Sequence, residues 1–339
     1  MAIEGLRKRH QRGPSVAPAF TELGQPKRAP PSMNTNETVS EAREDARRAH
    51  FAGAPGRHVA TQLSAAMDAI VRCNVEEALA LLGGPRKGEP WAVVALGGWG
   101  RGELCPASDL DLLLLYRRQT DLITKLARGL FYPLWDAGLD VGHGVRTVSQ
   151  CLGVSTLDLP SRTALLDARL IAGEPVLAEE LRRGVLKQLR RAQGESFFRA
   201  LAQEREQRHL KFSGDAARLE PHLKDGPGGL RDIHGMRWAL RVLAEVKAAE
   251  RRPDSIPDLA DRPEESESAS FLLRLRNHIH FVAGRKCDQL LHRYQAEAAA
   301  FMGFADEASL RAAVLDHMAD IKETTTALWP RLRTPRAWR

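Results

Sequence analysis

Cysteine, aromatic residues and long apolar runs are all scarce in this sequence. Its four cysteines, Cys73, Cys105, Cys151 and Cys287, are scattered with no Cys-x-x-Cys pair. That spacing excludes a cysteine-based zinc knuckle and argues against a disulfide framework. A cytoplasmic, reducing location is the simplest expectation. No apolar run approaches the roughly 18 residues that a membrane-spanning helix needs, so no membrane partner is expected. The basic N-terminus also lacks the apolar core of a secretory signal. Aromatics make up only 6% of the chain, and no basic stretch is interleaved with them. A stacking platform for single-stranded nucleic acid is therefore not visible, and nucleic acid is an unlikely partner. No internal repeat is present.

The remaining composition is that of a globular chain, 43% hydrophobic and 27% charged. With 339 residues it suits one large or two medium domains and can bury a sizeable core. A net charge of +7 and a pI near 9.5 favour anionic partners without choosing among nucleotide, nucleic acid and acidic protein. An Arg-rich solvated surface would give the same balance.

The most informative stretch is residues 91–116. Trp91 to Leu96 is a short apolar run stopped by Gly97-Gly98, which reads as a buried strand and a turn. Ser108-Asp109-Leu110-Asp111 then leads into Leu112 to Leu115, a second buried strand. Carboxylates two residues apart on an extended strand share a face, while Leu110 points the opposite way. Strands disfavour Asp, and two on one face repel. Mg²⁺ (or Mn²⁺) resolves that conflict, because a hard cation takes carboxylate and phosphate oxygens together. Gly97, Gly98, Gly100 and Gly102 let backbone N–H groups approach a triphosphate, with Arg101 among them as a phosphate clamp. The segment is not a P-loop, since no Gly-Lys-Ser/Thr follows, and its glycine spacing is not that of a dinucleotide fingerprint. A glycine-rich hairpin beside a solvent-facing acidic strand is the plain structural alternative.

Gly97-Gly98-Trp99-Gly100-Arg101-Gly102-Glu103-Leu104, then Pro106 and Ser108-Asp109-Leu110-Asp111, resembles the signature of polymerase-beta-like nucleotidyltransferases. The form is similar to that of PII-uridylyltransferase-type enzymes. Leu139 to Thr147 and Leu219 to His234 support the narrower match, and the resemblance runs from about residue 60 to 330. It implies an α+β fold: a small mixed-sheet nucleotidyltransferase core followed by a helical domain. It also implies NTP, most simply UTP, as donor and a tyrosine of a PII-type protein as acceptor. Relatives of this type carry a phosphohydrolase module with a His-Asp dipeptide and two regulatory modules. No such dipeptide occurs here, so demodification and glutamine sensing are not expected. An adenylyltransferase for another acceptor, or a nucleotide-binding regulator without turnover, are the alternatives.

Along the chain, residues 1–57 read as a proline-broken, poorly ordered extension, with a short helix around 40–50 capped by Ser40. The nucleotidyltransferase domain is assigned to 58–156, the helical domain to 157–330 and a tail to 331–339. Helices are expected at 58–82 and 121–137, and a third strand at Leu139 to Val148. Further helices are expected at 160–170, 175–192, 195–211, 231–250, 266–284, 288–303 and 306–329, with a proline-rich linker at 253–263. Asp140 within the third strand, rather than Asp136 at a helix end, is expected to complete the metal carboxylates. In the loop 224–232, Lys224 and Arg231 are candidate nucleotide contacts, Arg231 opening a helix and Asp232 serving as a helix-start carboxylate. Ser108 lacks a general base and nucleophile-elbow glycines, so it reads as a hydrogen-bonder grouped with the nucleotide residues. His143 reads as structural, and His278 and His280, two apart on a helix, make a poor metal pair.

Overall fold

Two short apolar strands set the frame. In this computed structural model, which describes residues 34–84, 88–156, 158–189, 192–249 and 266–333, all five residues of β1 (Trp91–Ala95) are buried. β2 (Leu110–Tyr116) is buried except for Asp111. The two pair antiparallel, Ala95 opposite Leu112 and Trp91 opposite Tyr116. β3 (Val141–Arg146) lies parallel to β2, and β4 (Arg169–Gly173) antiparallel to β1 with a bulge at Val93/Val94. The mixed sheet has the order β3-β2-β1-β4. The fold is thus α+β, a small mixed sheet followed by helices.

α1 (Thr35–Phe51) and α2 (Gly56–Leu81) precede the sheet, and α3 (Gly97–Gly100) is a single turn after β1. α4 (Asp121–Asp136) links β2 to β3, and α5 (Val148–Ser155) and α6 (Leu159–Leu166) precede β4. The rest is helical: α7 (Pro175–Gln188), α8 (Ala192–Lys211), α9 (Asp215–Leu219), α10 (Leu230–Ala249), α11 (Glu267–Ala283), α12 (His292–Met302) and α13 (Glu307–Arg333). α2 and α4 pack against each other on one side of the sheet. On the other side Ala92, Val94, Leu113 and Leu115 share a core with Leu181 of α7, Phe197 and Leu201 of α8, and Met236 of α10. A second core joins α10 to α11, α12 and α13 through Ile233, Leu275, Ala298 and Leu310.

Four expectations change. Residues 34–57 are not an unstructured extension: α1 starts after Asn34 rather than at Ser40 and buries Val39, Ala46 and His50. The third strand stops at Arg146, because Thr147 and Gln150 form a reciprocal capping box that starts α5 at Val148. The helix expected at 160–170 ends at Leu166, and its last residues form β4. β4 therefore places a sheet strand beyond residue 156. The N-terminal residues 1–33, the 253–263 linker and residues 334–339 lie outside the described residues. Among the described residues, no helix is long and apolar enough to cross a membrane.

Candidate functional site

A cleft of about 900 Å³ opens where the sheet's acidic end meets α8, α10 and α11. Gly97, Gly98, Arg101, Ser108, Asp109, Asp111, Lys224 and Arg231 all line it. Alternation along β2 explains the acidic end. Asp111 shares a face with Leu113 and Leu115, which continue inward into the core, so only the strand's first turnout reaches the cleft. Asp109 precedes the strand, which starts at Leu110. Burial and the adjacent Asp109 charge push the Asp111 carboxyl up, opposed by Lys286, Lys224 and Arg101.

Glycine is required around that carboxylate. A Cβ at Gly97, whose φ is +54°, would lie 3.0 Å from Asp111 Oδ2. One at Gly142, beside Asp111 in the sheet register, would lie 2.6 Å from Oδ1. Two bare backbones thus leave room around both oxygens. Gly98 also faces the cleft, but Gly100 does not line it. The Gly100 N–H donates to the Leu96 carbonyl, and a Cβ there would be 2.2 Å from the Asp167 carbonyl. Gly100 is therefore a packing glycine rather than a nucleotide contact.

The glycine turn is held from three sides. Trp99 is buried and its Nε1–H donates to the Ser64 carbonyl of α2, while Ser64 Oγ accepts from the Leu104 N–H. Arg169 of β4 donates to the Trp99 and Gly100 carbonyls and forks onto Asp68 at 2.6 and 3.0 Å. Arg101, expected as a free phosphate clamp, is already paired with Asp167 at 2.6 Å and Glu103 at 2.8 Å, and its side chain is 6% exposed. It faces the cleft as the centre of a buried network. His234 completes that network, with Nε2 3.1 Å from Glu103 Oε2 and Nδ1 3.5 Å from Arg101. Burial, with the Arg101 charge beside it, pushes His234 down to about 3. The neutral Nε2–H tautomer satisfies both contacts, donating to Glu103 and accepting from Arg101. Burial alone would raise the Glu103 carboxyl; the His234 hydrogen bond and Arg101 hold it well below the usual carboxylate range.

The loop 222–232 forms the opposite wall. The Arg231 and Leu230 amides donate to the Lys224 and Leu223 carbonyls, closing the turn. Asp232, buried, accepts from the Gly228 N–H at 2.8 Å, from Arg208 at 2.6 Å and from His209. It is thus a loop fastener as well as a helix-start carboxylate. Gly228 has φ +79°, and a Cβ there would fall 1.7 Å from the Met318 carbonyl of α13. Lys224 is 22% exposed, with Asp288 as its nearest carboxylate at 3.9 Å. Burial and the charges of Arg276 and Arg231 push it down to about 8. Arg231 lies 3.5 Å from Asp225 and stacks over Trp238.

Asp140 stands apart from the other two carboxylates. It precedes β3, is exposed, and does not line the cleft; its carbonyl accepts from the Leu110 N–H at 2.8 Å. The β3 residue beside Asp111 is Gly142, so the sheet presents no side chain there. Among the described residues, no three His, Cys, Asp or Glu side chains group to hold a metal ion. The pair Asp109–Asp111 remains as donor set. Its oxygen chemistry, its mutual repulsion and the glycine cradle fit one hard divalent cation. His143 packs against Phe131 and Trp135, away from the pair. His278 and His280 point to different partners, as their spacing predicts.

Sequence reasoning missed Glu103, Asp167, His234, Arg276, Lys286 and Asp288. Arg101 and His234 are 133 positions apart, and no local pattern links them. Glu103 and His234 lie within the two quoted motifs, at 97–104 and 219–234, and are the members a local reading could single out.

The sequence is similar to that of known proteins. A family model described as GlnD PII-uridylyltransferase matches residues 196–329. The bifunctional uridylyltransferase/uridylyl-removing enzyme of Azospirillum brasilense is 38% identical over 67% of this chain and 24% of its own length. That of Cereibacter sphaeroides is 40% identical over 68% of this chain and 25% of its own. That of Rhodopseudomonas palustris is 33% identical over 83% and 31%. The chain spans about a quarter to a third of these relatives. Over that part of their length the chain is similar to the bifunctional uridylyltransferase/uridylyl-removing enzymes, and it resembles their nucleotidyltransferase portion.

Proposed function

We propose that the cleft transfers a nucleoside monophosphate, UMP from UTP, to an acceptor hydroxyl and releases pyrophosphate. The observation that carries this reading is the placement of Asp109 and Asp111 opposite Lys224 and Arg231 across one cleft. The acceptor is a tyrosine hydroxyl of a PII-type protein, in keeping with the match to PII-uridylyltransferase. Asp109 and Asp111 hold Mg²⁺ or Mn²⁺, which supplies charge neutralisation at the phosphates. Lys224 and Arg231 bind the triphosphate from the helical side, and the bare backbone of Gly97-Gly98 lets it lie against the sheet. The acceptor oxygen forms a bond to the α-phosphorus as the bond to the bridging pyrophosphate oxygen breaks, and the hydroxyl proton passes to solvent at the open side of Asp111. Arg101 holds Glu103, Asp167 and His234 together behind the site and so keeps the glycine turn in register.

Incubation with α-labelled UTP, Mg²⁺ and a PII-type protein tests this directly, with ATP, GTP and CTP in parallel. Label should pass to the acceptor from UTP. Asp111→Asn should lower the rate by at least ~10²-fold, as loss of one electrostatic stabiliser does. Asp140→Asn, outside the cleft, should cost far less. Equal losses for the two variants would restore Asp140 to the metal set, and undiminished transfer by Asp111→Asn would sink the proposal.

A further inference from the structure

Among the described residues, Lys286 is the one cation that touches a carboxylate of the Asp109–Asp111 pair. Its Nζ contacts Asp109 Oδ2, with the two side chains 44% and 40% exposed. Its position is built. Just after it, Asp288 accepts from Arg276 at 2.7 Å and pairs with His280 Nε2 at 3.1 Å. The other nitrogen of His280, Nδ1, accepts from the Ala107 N–H at 3.2 Å. One buried imidazole thus ties the backbone two residues before Asp109 to the side chain two residues after Lys286. The Leu223 N–H donates to the Asp288 carbonyl, and Leu290 to the Pro221 carbonyl, fixing the same segment to the loop that carries Lys224.

We propose that Lys286 is a positioning residue that exchanges between Asp109 and the nucleotide: it neutralises Asp109 when no metal is bound, and metal binding hands its ammonium to the triphosphate. The inference rests on the metal site proposed above. A half-exposed ion pair is a weak interaction, easily displaced. A divalent cation carries twice the charge and takes carboxylate oxygen directly, so it displaces the ammonium from Oδ2. The displaced ammonium is tethered at the mouth of the cleft, which both it and Lys224 line. Phosphate oxygens are the anions then within its reach. Metal and nucleotide consequently reinforce one another: metal alone must compete with Lys286, whereas metal with nucleotide gives Lys286 a new partner. Binding that is linked in this way is reciprocal.

Mn²⁺ titration of the full chain without nucleotide, read from the EPR signal of free Mn²⁺, tests the exchange. Lys286→Met should bind Mn²⁺ about 3- to 10-fold more tightly than the unaltered protein, the size of one displaced ion pair. Arg285→Met, which removes an equal charge from the exposed neighbour, should change it much less. In saturating Mn²⁺, a UTP analogue with a carbon bridge between the α- and β-phosphates should bind Lys286→Met more weakly than the unaltered protein. If Asp111→Asn abolishes Mn²⁺ binding but Lys286→Met leaves it unchanged, the exchange is overturned and the metal site stands. If no Mn²⁺ binding depends on Asp111, both fall together.

Discussion

At the scale of single residues, the cleft separates cations that hold the structure from cations left for a ligand. Arg101 belongs to the first kind, because two carboxylates already occupy its guanidinium. Lys224 belongs to the second. Its ammonium, pushed down to about 8 by burial and by Arg276 and Arg231, still carries its proton near neutral pH and sheds it as pH rises through that value. Nucleotide affinity should therefore hold from pH 6 to 7 and weaken about 3- to 10-fold by pH 9, the worth of one phosphate contact. Lys224→Arg, charged throughout that range, should flatten the profile; an unchanged slope in that variant would remove Lys224 from the phosphate site. Calorimetric titration of the nucleotide at each pH provides the measurement. The Asp109-Leu110-Asp111 spacing stands out in the sequence because strands disfavour Asp, although only Asp111 lies within β2. The full occupancy of Arg101 does not, because only Glu103 is local, while Asp167 and His234 arrive from β4's approach and from α10, far along the chain.

At the scale of elements, α1 is fastened by an unusual contact. His50 of α1 and His278 of α11 are both buried, and among the described residues no ring nitrogen of either has a hydrogen-bond partner. Phe301 of α12 stacks on both, at 4.5 and 4.2 Å between ring centroids. Burial pushes His50 down to about 3, helped by His278 and Arg274, and pushes His278 down to about 4, helped by Arg274. Unfolded, both rings take up a proton near pH 6.5. The unfolded chain thus binds more protons as pH falls below that value, and stability declines on the acid side while remaining full above it. Between pH 7.5 and 5 the loss should amount to about 2 kcal/mol or more. Urea unfolding at both pH values measures it, and the His50→Phe/His278→Phe double variant should lose the share these two rings contribute while the buried His234 keeps its own. A pH dependence that survives the double variant intact would place the acid sensitivity elsewhere. The sequence places both histidines on expected helices, His50 at the end of the short one at 40–50, but no local pattern shows that the two rings meet. α5 was more accessible: Thr147 and Gln150 carry the capping-box spacing in plain view.

At the scale of the whole molecule, the division expected near residue 156 does not coincide with a break in packing. Leu113 and Leu115 of β2 lie in one core with Leu181, Phe197, Leu201 and Met236. β4, which closes one side of the sheet, comes after the expected boundary. Apolar periodicity located most helices to within a few residues because each buries one stripe. It could not show which stripes meet, and a five-residue strand following a leucine-rich helix left too short a pattern to separate. A fragment of residues 58–156 should accordingly fail to fold. It would expose the leucines that the helices cover, and each fully buried Leu contributes about 1.5–3 kcal/mol. Circular dichroism and amide-proton dispersion of the fragment, beside a chain of residues 34–339, decide the matter; a cooperative melt from the fragment would overturn it.

The close approach of Gly228 to α13 has a mechanical consequence. With the loop backbone pressed against the Met318 carbonyl and no room for even a methyl group, there is no slack between them. α13 is 27 residues long, a rod of about 40 Å. Gly228 bears on it near the middle, and Lys224 and Arg231 ride on the same short loop. A push or rotation applied to either end of the rod therefore cannot be absorbed at that crossing. It reaches the Lys224 ammonium and the Arg231 guanidinium, which face the cleft.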